Sequence, residues 1–166
     1  YRPIIEVLDD TIPREFLKEV RKYSLFSLSG INTPKIVYTP LNGTGNILVR
    51  EILKNVEIKD VIVVPDQEKP DGNFPTCPYP NPEEKAALKL AVELADKKNA
   101  DLVLATDPDA DRVGIAVKTE NGYQLLNGNE TGVLMENYIF SLRKKTDKTP
   151  VFVKTIVTSD MSGDIA

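Results

Sequence analysis

The amino-acid sequence predicts an α/β domain in which helices cover both faces of a mixed, partly parallel sheet, giving a three-layer α/β/α sandwich. Short apolar runs of strand length alternate along the chain with segments of helical periodicity. Between residues 35 and 64 a strand, a helix and a second strand follow one another, and this βαβ order requires parallel strands. The pair Asn121-Gly122, placed between two further apolar runs, predicts an antiparallel hairpin that makes the sheet mixed.

The first part of the chain predicts two helices and two strands. Thr11 is expected to cap a helix that carries Pro13 in its first turn. Residues 35–38 predict a strand, and residues 61–64, which are apolar throughout, predict a second strand buried on both faces. The segment between these strands predicts a short helix, whose apolar positions are Ile47, Leu48, Ile52 and Leu53.

A proline-rich loop separates this βαβ unit from the next helix. It spans residues 65–82, and loops of that length without secondary structure are usually functional or linkers. Asn81 is expected to cap the helix that follows, because Pro82 would occupy the first helical position and Glu84 completes a capping-box pattern.

The remaining elements are two apolar strands, the hairpin and a further helix. Residues 102–105 and 113–117 have the length and composition of buried strands. Asn129 is expected to open a helix after the hairpin. Residues 151–157 predict a fresh strand, and Ser159 could cap a short helix after it.

Composition excludes several kinds of site and partner. The chain has no His and one Cys, which excludes a zinc site of the Cys/His type, a Ser-His-Asp triad and a Cys-His pair. A net charge of −4 argues against nucleic acid as a partner. No apolar stretch approaches the roughly 20 residues that span a bilayer, so a membrane partner is not expected either. The lone Cys77 offers no disulfide and fits a reducing cytoplasm.

The segment between the apolar runs at residues 102–105 and 113–117 has the composition of a metal-binding loop. Asp107, Asp109 and Asp111 alternate there, and Arg112 follows directly. Alternate carboxylates in a tight loop after a strand can direct several oxygens to one point, which suits a hard divalent cation. A calcium loop of the EF-hand kind is excluded, because its sixth and twelfth positions would be Arg112 and Lys118 in place of Gly and Glu. The alternative is a solvated acidic turn, but an ordinary turn does not need three alternating Asp residues.

Two other segments have the composition of ligand-binding turns. Residues 43–45 (Gly-Thr-Gly) lie between a strand and a helix, as a phosphate-binding turn would, but they lack the third glycine of a dinucleotide fingerprint and the Lys-Ser/Thr of a P-loop. Residues 127–130 (Asn-Gly-Asn-Glu) predict a turn into a capped helix. Both are therefore interpreted as structural turns.

Five segments in this order make the chain resemble the α-D-phosphohexomutase family, which comprises phosphoglucomutase and phosphomannomutase. They are residues 38–45 (Tyr-Thr-Pro-Leu-Asn-Gly-Thr-Gly), 70–75 (Pro-Asp-Gly-Asn-Phe-Pro), 80–84 (Pro-Asn-Pro-Glu-Glu), 107–112 and 127–130. The resemblance implies the second, metal-binding domain of a four-domain enzyme, at residues 35–142. Residues 1–34 would then be a helix and inter-domain connection, and residues 143–166 a linker with the truncated start of the next domain.

The same resemblance implies roles for four residues. Asp107, Asp109 and Asp111 would hold Mg²⁺, whose remaining ligand would be the phosphoryl group of a phosphoserine supplied by another domain. Arg112 would be the catalytic residue beside that phosphoryl group. In the family the phosphoserine gives its phosphoryl group to a sugar phosphate, and phosphate moves between C1 and C6 of a hexose. The chain alone is expected to be inactive, because the family's serine loop carries a His and this chain has none.

Two alternatives from other classes remain open at this point. A dehalogenase-type phosphatase also places Asp-x-Asp after an apolar strand, which would make Asp107 a nucleophile with Asp109 beside it. The motif normally follows the first strand of that fold, whereas about a hundred residues precede it here. The other alternative is a non-catalytic module that binds a metal or a sugar phosphate.

Overall fold

The computed structural model describes residues 9–25, 27–142 and 151–165 and shows an α/β fold built on one mixed five-stranded sheet. Helix α1 (Thr11–Arg21) precedes strand β1 (Ile36–Thr39), helix α2 (Asn46–Asn55) and strand β2 (Val61–Val63). Helix α3 (Lys85–Lys98) leads to strands β3 (Leu102–Thr106), β4 (Val113–Thr119) and β5 (Gly122–Leu126). Helices α4 (Gly128–Leu142) and α5 (Met161–Ile165) complete the order.

The strand order places a topological switch at the centre of the sheet. The order across the sheet is β2-β1-β3-β4-β5, so the chain moves outward from β1 to β2 and then returns to the other side of β1. Strand β1 pairs in parallel with both β2 and β3, whereas β3, β4 and β5 pair antiparallel. In such sheets ligands bind outside the carboxyl ends of the strands on either side of the switch, which here are β1 and β3.

The main core lies between α3 and one face of the sheet. Helix α3 packs against β1 and β3 through its small and branched side chains. Parallel crossovers are right-handed in nearly all sheets, so the chain's return across β1 implies that α2 and α3 cover opposite faces, which agrees with the predicted layering. Helix α1 packs on α2 and buries Leu17. The core residues are Val37, Val64, Leu88, Ala91, Ala95, Ala100, Val103, Ala105 and Ala116.

The hairpin of β4 and β5 is confirmed, with Thr119 paired to Gly122. Gly122 has φ +102°, a left-handed conformation that favours glycine, and this explains why Gly follows Asn at the turn. None of the helices in the described part of the chain is long and apolar enough to cross a membrane.

The expected burial of β2 is wrong. Its three residues are only partly buried, because β2 is the edge strand and pairs with β1 alone. An apolar run has the same composition at the edge of a sheet as at its centre, so the sequence could not separate the two positions.

Two predicted helix caps and one predicted helix start are also wrong. Asp10, not Thr11, is the N-cap of α1, and Thr11 is its first residue. Helix α3 begins at Lys85, and the residues from Asn81 to Glu84 form a turn before it. Helix α4 begins before Asn129, and its cap is Asn127.

Residues 151–157 do not form the predicted strand. Residues 151–155 have no regular structure, and most of this segment is exposed. A strand is stabilised by its neighbours, and none of the described strands pairs with this segment. The helix after it is present, and the hydroxyl of Ser159 accepts a hydrogen bond from Met161 N–H, as expected of a cap. The predicted linker at 143–150 lies outside the described residues.

Candidate metal centre

The candidate site forms where the carboxyl ends of β1 and β3 lie side by side. Thr39 pairs with Ala105, so the turn that leaves β1 and the loop that leaves β3 emerge together. The first is residues 40–45, and the second is residues 107–112, which we call the acidic loop. Below them the hydroxyl of Tyr38 hydrogen-bonds the hydroxyl of Thr106 at 2.9 Å and joins the two strand ends.

The turn after β1 packs directly against the acidic loop. The amide N and hydroxyl of Thr44 both donate hydrogen bonds to the carbonyl oxygen of Pro108, at 2.8 and 3.1 Å. A Cβ atom on Gly43 would lie 2.4 Å from the Cα of Pro108, so only glycine fits at that position. The Gly-Thr-Gly segment therefore supports the acidic loop, and the donors of Thr44 are not free for a phosphate.

The acidic loop reverses direction over six residues. The amide of Ala110 donates to the carbonyl of Asp107 at 3.0 Å, and the amide of Asp107 donates to the carbonyl of Arg112 at 3.4 Å. Ala110 has φ +61°, a left-handed conformation that is uncommon for a residue with a Cβ. Such strained positions cluster at functional sites, where the surrounding structure maintains them.

This loop brings the three predicted ligands together. Asp107, Asp109 and Asp111 can each offer one carboxylate oxygen such that these oxygens all lie within 4.8 Å of one another. Asp107 is buried, whereas Asp109 and Asp111 are exposed. An all-oxygen set of carboxylates at this spacing fits a hard divalent cation such as Mg²⁺, Ca²⁺ or Mn²⁺.

Asp107 is held as an anion by Arg112. The Asp107 Oδ1 atom accepts a hydrogen bond from the backbone N–H of Arg112 at 2.9 Å, and Oδ2 accepts one from its Nε at 2.9 Å. Burial raises the pKa of Asp107, but the hydrogen bonds from Arg112 and Asp111 and the guanidinium charge outweigh burial and hold that pKa below its ordinary value.

Asp111 shows the opposite shift in the same loop. A hydrogen bond with Asp107 and the negative charges of Asp109 and Asp107 raise the pKa of Asp111 above its ordinary value. The cluster thus favours the addition of positive charge at its exposed side. A bound divalent cation would supply that charge, which supports the fit to a metal.

The structure shows the protein partners of Arg112, and it adds one residue to the site. The Nε of Arg112 donates to Asp107 Oδ2 at 2.9 Å, and its Nη1 donates to Asn81 Oδ1 at 3.2 Å. The expected contact of Arg112 with a phosphoryl group stays a prediction. Asn81 was interpreted only as a helix cap. No sequence signal joins two residues that lie 31 positions apart, although the turn-forming Pro-Asn-Pro context indicates that the Asn81 side chain could be directed away from a helix.

The segment from Asn127 to Glu130 is a capped helix start, as expected. Asn127 Oδ1 accepts from the amide of Glu130 at 2.9 Å, and Glu130 Oε2 accepts from the amide of Asn127 at 2.8 Å. These two reciprocal bonds form a capping box.

Comparison with known proteins gives two close sequence relatives. The chain is 37% identical over 164 residues to a phosphoglucomutase of Staphylococcus saprophyticus, which covers 98% of this chain and 29% of the relative. It is 46% identical to a phosphoribomutase of Saccharomyces cerevisiae over 121 residues. This aligned region is 69% of this chain and 20% of the relative. The chain therefore spans less than a third of the length of these curated relatives.

A solved structure shares the fold. A phosphoglucomutase/phosphomannomutase family protein from Burkholderia thailandensis superimposes with a TM-score of 0.64 over 78% of this chain and 26% of its own, at 20% sequence identity. The sequence model of the family described as phosphoglucomutase/phosphomannomutase, alpha/beta/alpha domain II, matches residues 14–122, which is more than half of the chain. The chain belongs to the phosphoglucomutase/phosphomannomutase family and carries its domain II.

Proposed function

We propose that this chain is the Mg²⁺-binding domain of a phosphohexomutase, which moves phosphate between C1 and C6 of a hexose phosphate through a phosphoserine supplied by another domain. The observation that carries the proposal is the convergence of carboxylate oxygens from Asp107, Asp109 and Asp111 at the switch point of a sheet of this family.

The three carboxylates would hold the cation with different roles. Asp107 is fixed by two hydrogen bonds from Arg112 and supplies a buried anchor whose pKa is held below its ordinary value. Asp109 and Asp111 are exposed, so their oxygens are open to a ligand that arrives from solvent or from a neighbouring domain. Mg²⁺ held there would neutralise negative charge on the oxygens of a transferring phosphoryl group.

Arg112 would contribute a second positive group on the same side. Its side chain is 51% exposed even though two of its nitrogens are bonded to protein oxygens. A guanidinium so placed can donate charge-assisted hydrogen bonds to a phosphoryl group that occupies the metal. The residue would then stabilise charge that develops during transfer.

The substrate class is proposed from the same family membership. The curated relatives are named phosphoglucomutase and phosphoribomutase, which supports a sugar phosphate as substrate. The division into residues 1–34, 35–142 and 143–166, and the cytoplasmic location, stay predictions.

The phosphatase alternative is not favoured by the family membership. The family model that matches residues 14–122 describes phosphoglucomutase/phosphomannomutase domain II, and the curated relatives are named as mutases.

The proposal is tested by comparing the 166-residue chain with the full-length protein that contains it. A coupled assay with glucose 1-phosphate and its bisphosphate should give background with the chain alone, because the phosphoserine would come from another domain. The full-length protein should turn over in a Mg²⁺-dependent manner, and Asp109→Asn should abolish this. Turnover by the chain alone that Asp109→Asn removes would show that the nucleophile lies within these residues, and a metal-independent full-length enzyme would contradict the proposed metal site.

A further inference from the structure

The guanidinium group of Arg112 is held by two loops at once. Its Nε donates to Asp107 Oδ2 at 2.9 Å in the acidic loop, and its Nη1 donates to Asn81 Oδ1 at 3.2 Å in the loop before α3. Asp107 alone would leave the plane of the guanidinium free to turn about the side chain. The second acceptor fixes that plane, since two bonds to separate atoms of a rigid group define its orientation.

Asn81 is itself fixed by bonds within its own turn. Its amide donates to the carbonyl of Tyr79 at 2.8 Å, and its carbonyl accepts from the amide of Glu84 at 3.0 Å. The side-chain oxygen also accepts from the amide of Glu83 at 3.1 Å. These bonds fix the position of the Asn81 Oδ1 atom independently of its contact with Arg112.

The turn at residues 81–84 also packs against strand β4, which begins directly after Arg112. Pro82 is fully buried, and a Cβ atom on Gly114 would lie 2.1 Å from the Pro82 carbonyl oxygen. Gly114 is the second residue of β4, two positions after Arg112. This close backbone contact fixes the distance between the turn and the base of the Arg112 side chain.

The remaining terminal nitrogen of Arg112 stays available. Among the described residues no hydrogen-bond partner contacts Nη2, and the side chain is half exposed. With Nε and Nη1 both occupied, Nη2 is the group that can meet an anion.

We propose that Asn81 is a positioning residue, which orients the guanidinium of Arg112 so that Nη2 faces the phosphoryl group at the metal. This inference rests on the proposed function, because it is the transferred phosphoryl group that Nη2 would meet. Asn81 acts through Arg112 and need not touch the substrate.

The first test measures the orientation itself and needs no turnover. Nitrogen-15 NMR of the Arg112 side chain in the 166-residue chain should resolve separate Nη1 and Nη2 signals, because the bonds to Asp107 and Asn81 oppose rotation about the Nε–Cζ bond. Asn81→Ala should merge the two signals, and Asn81→Asp, which keeps the acceptor oxygen, should keep them separate. Separate signals in Asn81→Ala would overturn the positioning role.

The second test is a double-mutant cycle on the full-length protein. Asn81→Ala should lower kcat by about tenfold, the size expected for one hydrogen bond to a charged group. Its Mg²⁺ affinity, measured by calorimetry, should stay that of the unmodified protein. In an Arg112→Ala background the same substitution should have no further effect, because the residue acts only through Arg112.

The controls separate this inference from the proposed function. Asn55→Ala, a matched substitution at the end of α2, should leave kcat unchanged. If Asp109→Asn abolishes activity and Arg112→Ala lowers kcat, but Asn81→Ala does not lower kcat, the inference fails and the proposed function stands. If Asp109→Asn is fully active, the proposed function fails, whatever the NMR signals of Arg112 show.

Discussion

The two ends of the parallel strands β1 and β3 carry charge in opposite arrangements. At the amino ends, two acidic groups have a donor beside them: Lys35 Nζ lies 3.7 Å from Asp60, and the backbone N–H of Lys35 donates to Asp101 Oδ2 at 2.8 Å. At the carboxyl ends the three carboxylates of the acidic loop converge, and among the described residues only Arg112 pairs with them. Asp60 and Asp101 are separate carboxylates with their own donors, whereas the three carboxylates of the acidic loop share one basic side chain.

This difference favours the carboxyl edge of the sheet as the candidate site. A carboxylate that already has its own donor needs no further ligand. An excess of like charge within one loop raises the free energy of the folded state. Such a cluster of charges therefore needs a rigid scaffold that holds the loop in place. Here that scaffold is the packed turn at Gly43 and the left-handed Ala110.

The largest effect is expected from Asp109→Asn in the full-length protein. Asp109 is exposed and accepts no hydrogen bond among those found in the described residues, so the change should leave folding intact. It would remove a charged ligand of the proposed cation, and activity should then fall by at least about a hundredfold. Steady-state kinetics with thermal unfolding as a check on the fold would measure both. Asp101→Asn, the same charge change at the other end of β3, should retain activity.

Gly43→Ala tests whether the carboxyl edge depends on close packing. Its new Cβ would meet the backbone of Pro108, which cannot move without displacing the acidic loop. We expect a loss of roughly 1–3 kcal/mol in the free energy of unfolding. Urea unfolding measures it, with Gly72→Ala as the matched control, because a Cβ there meets nothing within 4 Å. Equal effects of the two substitutions would remove the support we assign to the turn.

The two shifted carboxyl groups should respond to pH in opposite ways when no metal is added. The folded pKa of Asp107 is lowered, so its stabilising contribution is complete above its unfolded pKa of about 4 and is lost as pH falls below that value. Asp107→Asn should therefore cost roughly 1–3 kcal/mol at neutral pH and progressively less in acid.

The folded pKa of Asp111 is raised, so the ionised group destabilises the folded chain at neutral pH. Asp111→Asn should raise the free energy of unfolding at neutral pH. The gain should disappear as pH falls through a range that begins above the ordinary Asp value. Urea unfolding at a series of pH values measures both variants, and shifts of the same sign for Asp107→Asn and Asp111→Asn would contradict the opposed environments.

The smallest effect is expected at the amino edge. The pair of Lys35 and Asp60 is partly exposed at 3.7 Å, and such surface pairs contribute about 0–1 kcal/mol. Asp60→Asn should change the free energy of unfolding by less than Asp107→Asn does, with no change in metal binding. A larger loss than at Asp107 would reverse the comparison between the two edges.

The sequence predicts the acidic site better than it predicts the packing around it. The Asp-x-Asp-x-Asp spacing and the flanking apolar runs are local, so the convergence of the three carboxylates and strands β3 and β4 follow from them. The strand at residues 151–157 was wrong, because its apolar pattern cannot show whether a partner strand lies beside it.

Tertiary contacts explain the other errors. Asn81 has the local pattern of a helix cap, yet its side-chain oxygen accepts a hydrogen bond from Arg112. That contact depends on the packing of the Pro82 backbone against Gly114. The burial of β2 depends on its place at the edge of the sheet. Neither property is encoded in a short stretch of residues.

Paramagnetic Mn²⁺ in place of Mg²⁺ tests whether the acidic loop binds a divalent cation. Both ions take oxygen ligands, and Mn²⁺ broadens the NMR signals of nearby nuclei. In the 166-residue chain, Mn²⁺ should broaden the amide signals of Asp107, of residues 109–112 and of Thr44, whose N–H contacts that loop, and excess Mg²⁺ should restore them. Binding should be weak, because the phosphoserine would add roughly two negative charges. Asp109→Asn should abolish the broadening and Asp101→Asn should preserve it. Broadening centred elsewhere, or unchanged in Asp109→Asn, would contradict the metal site.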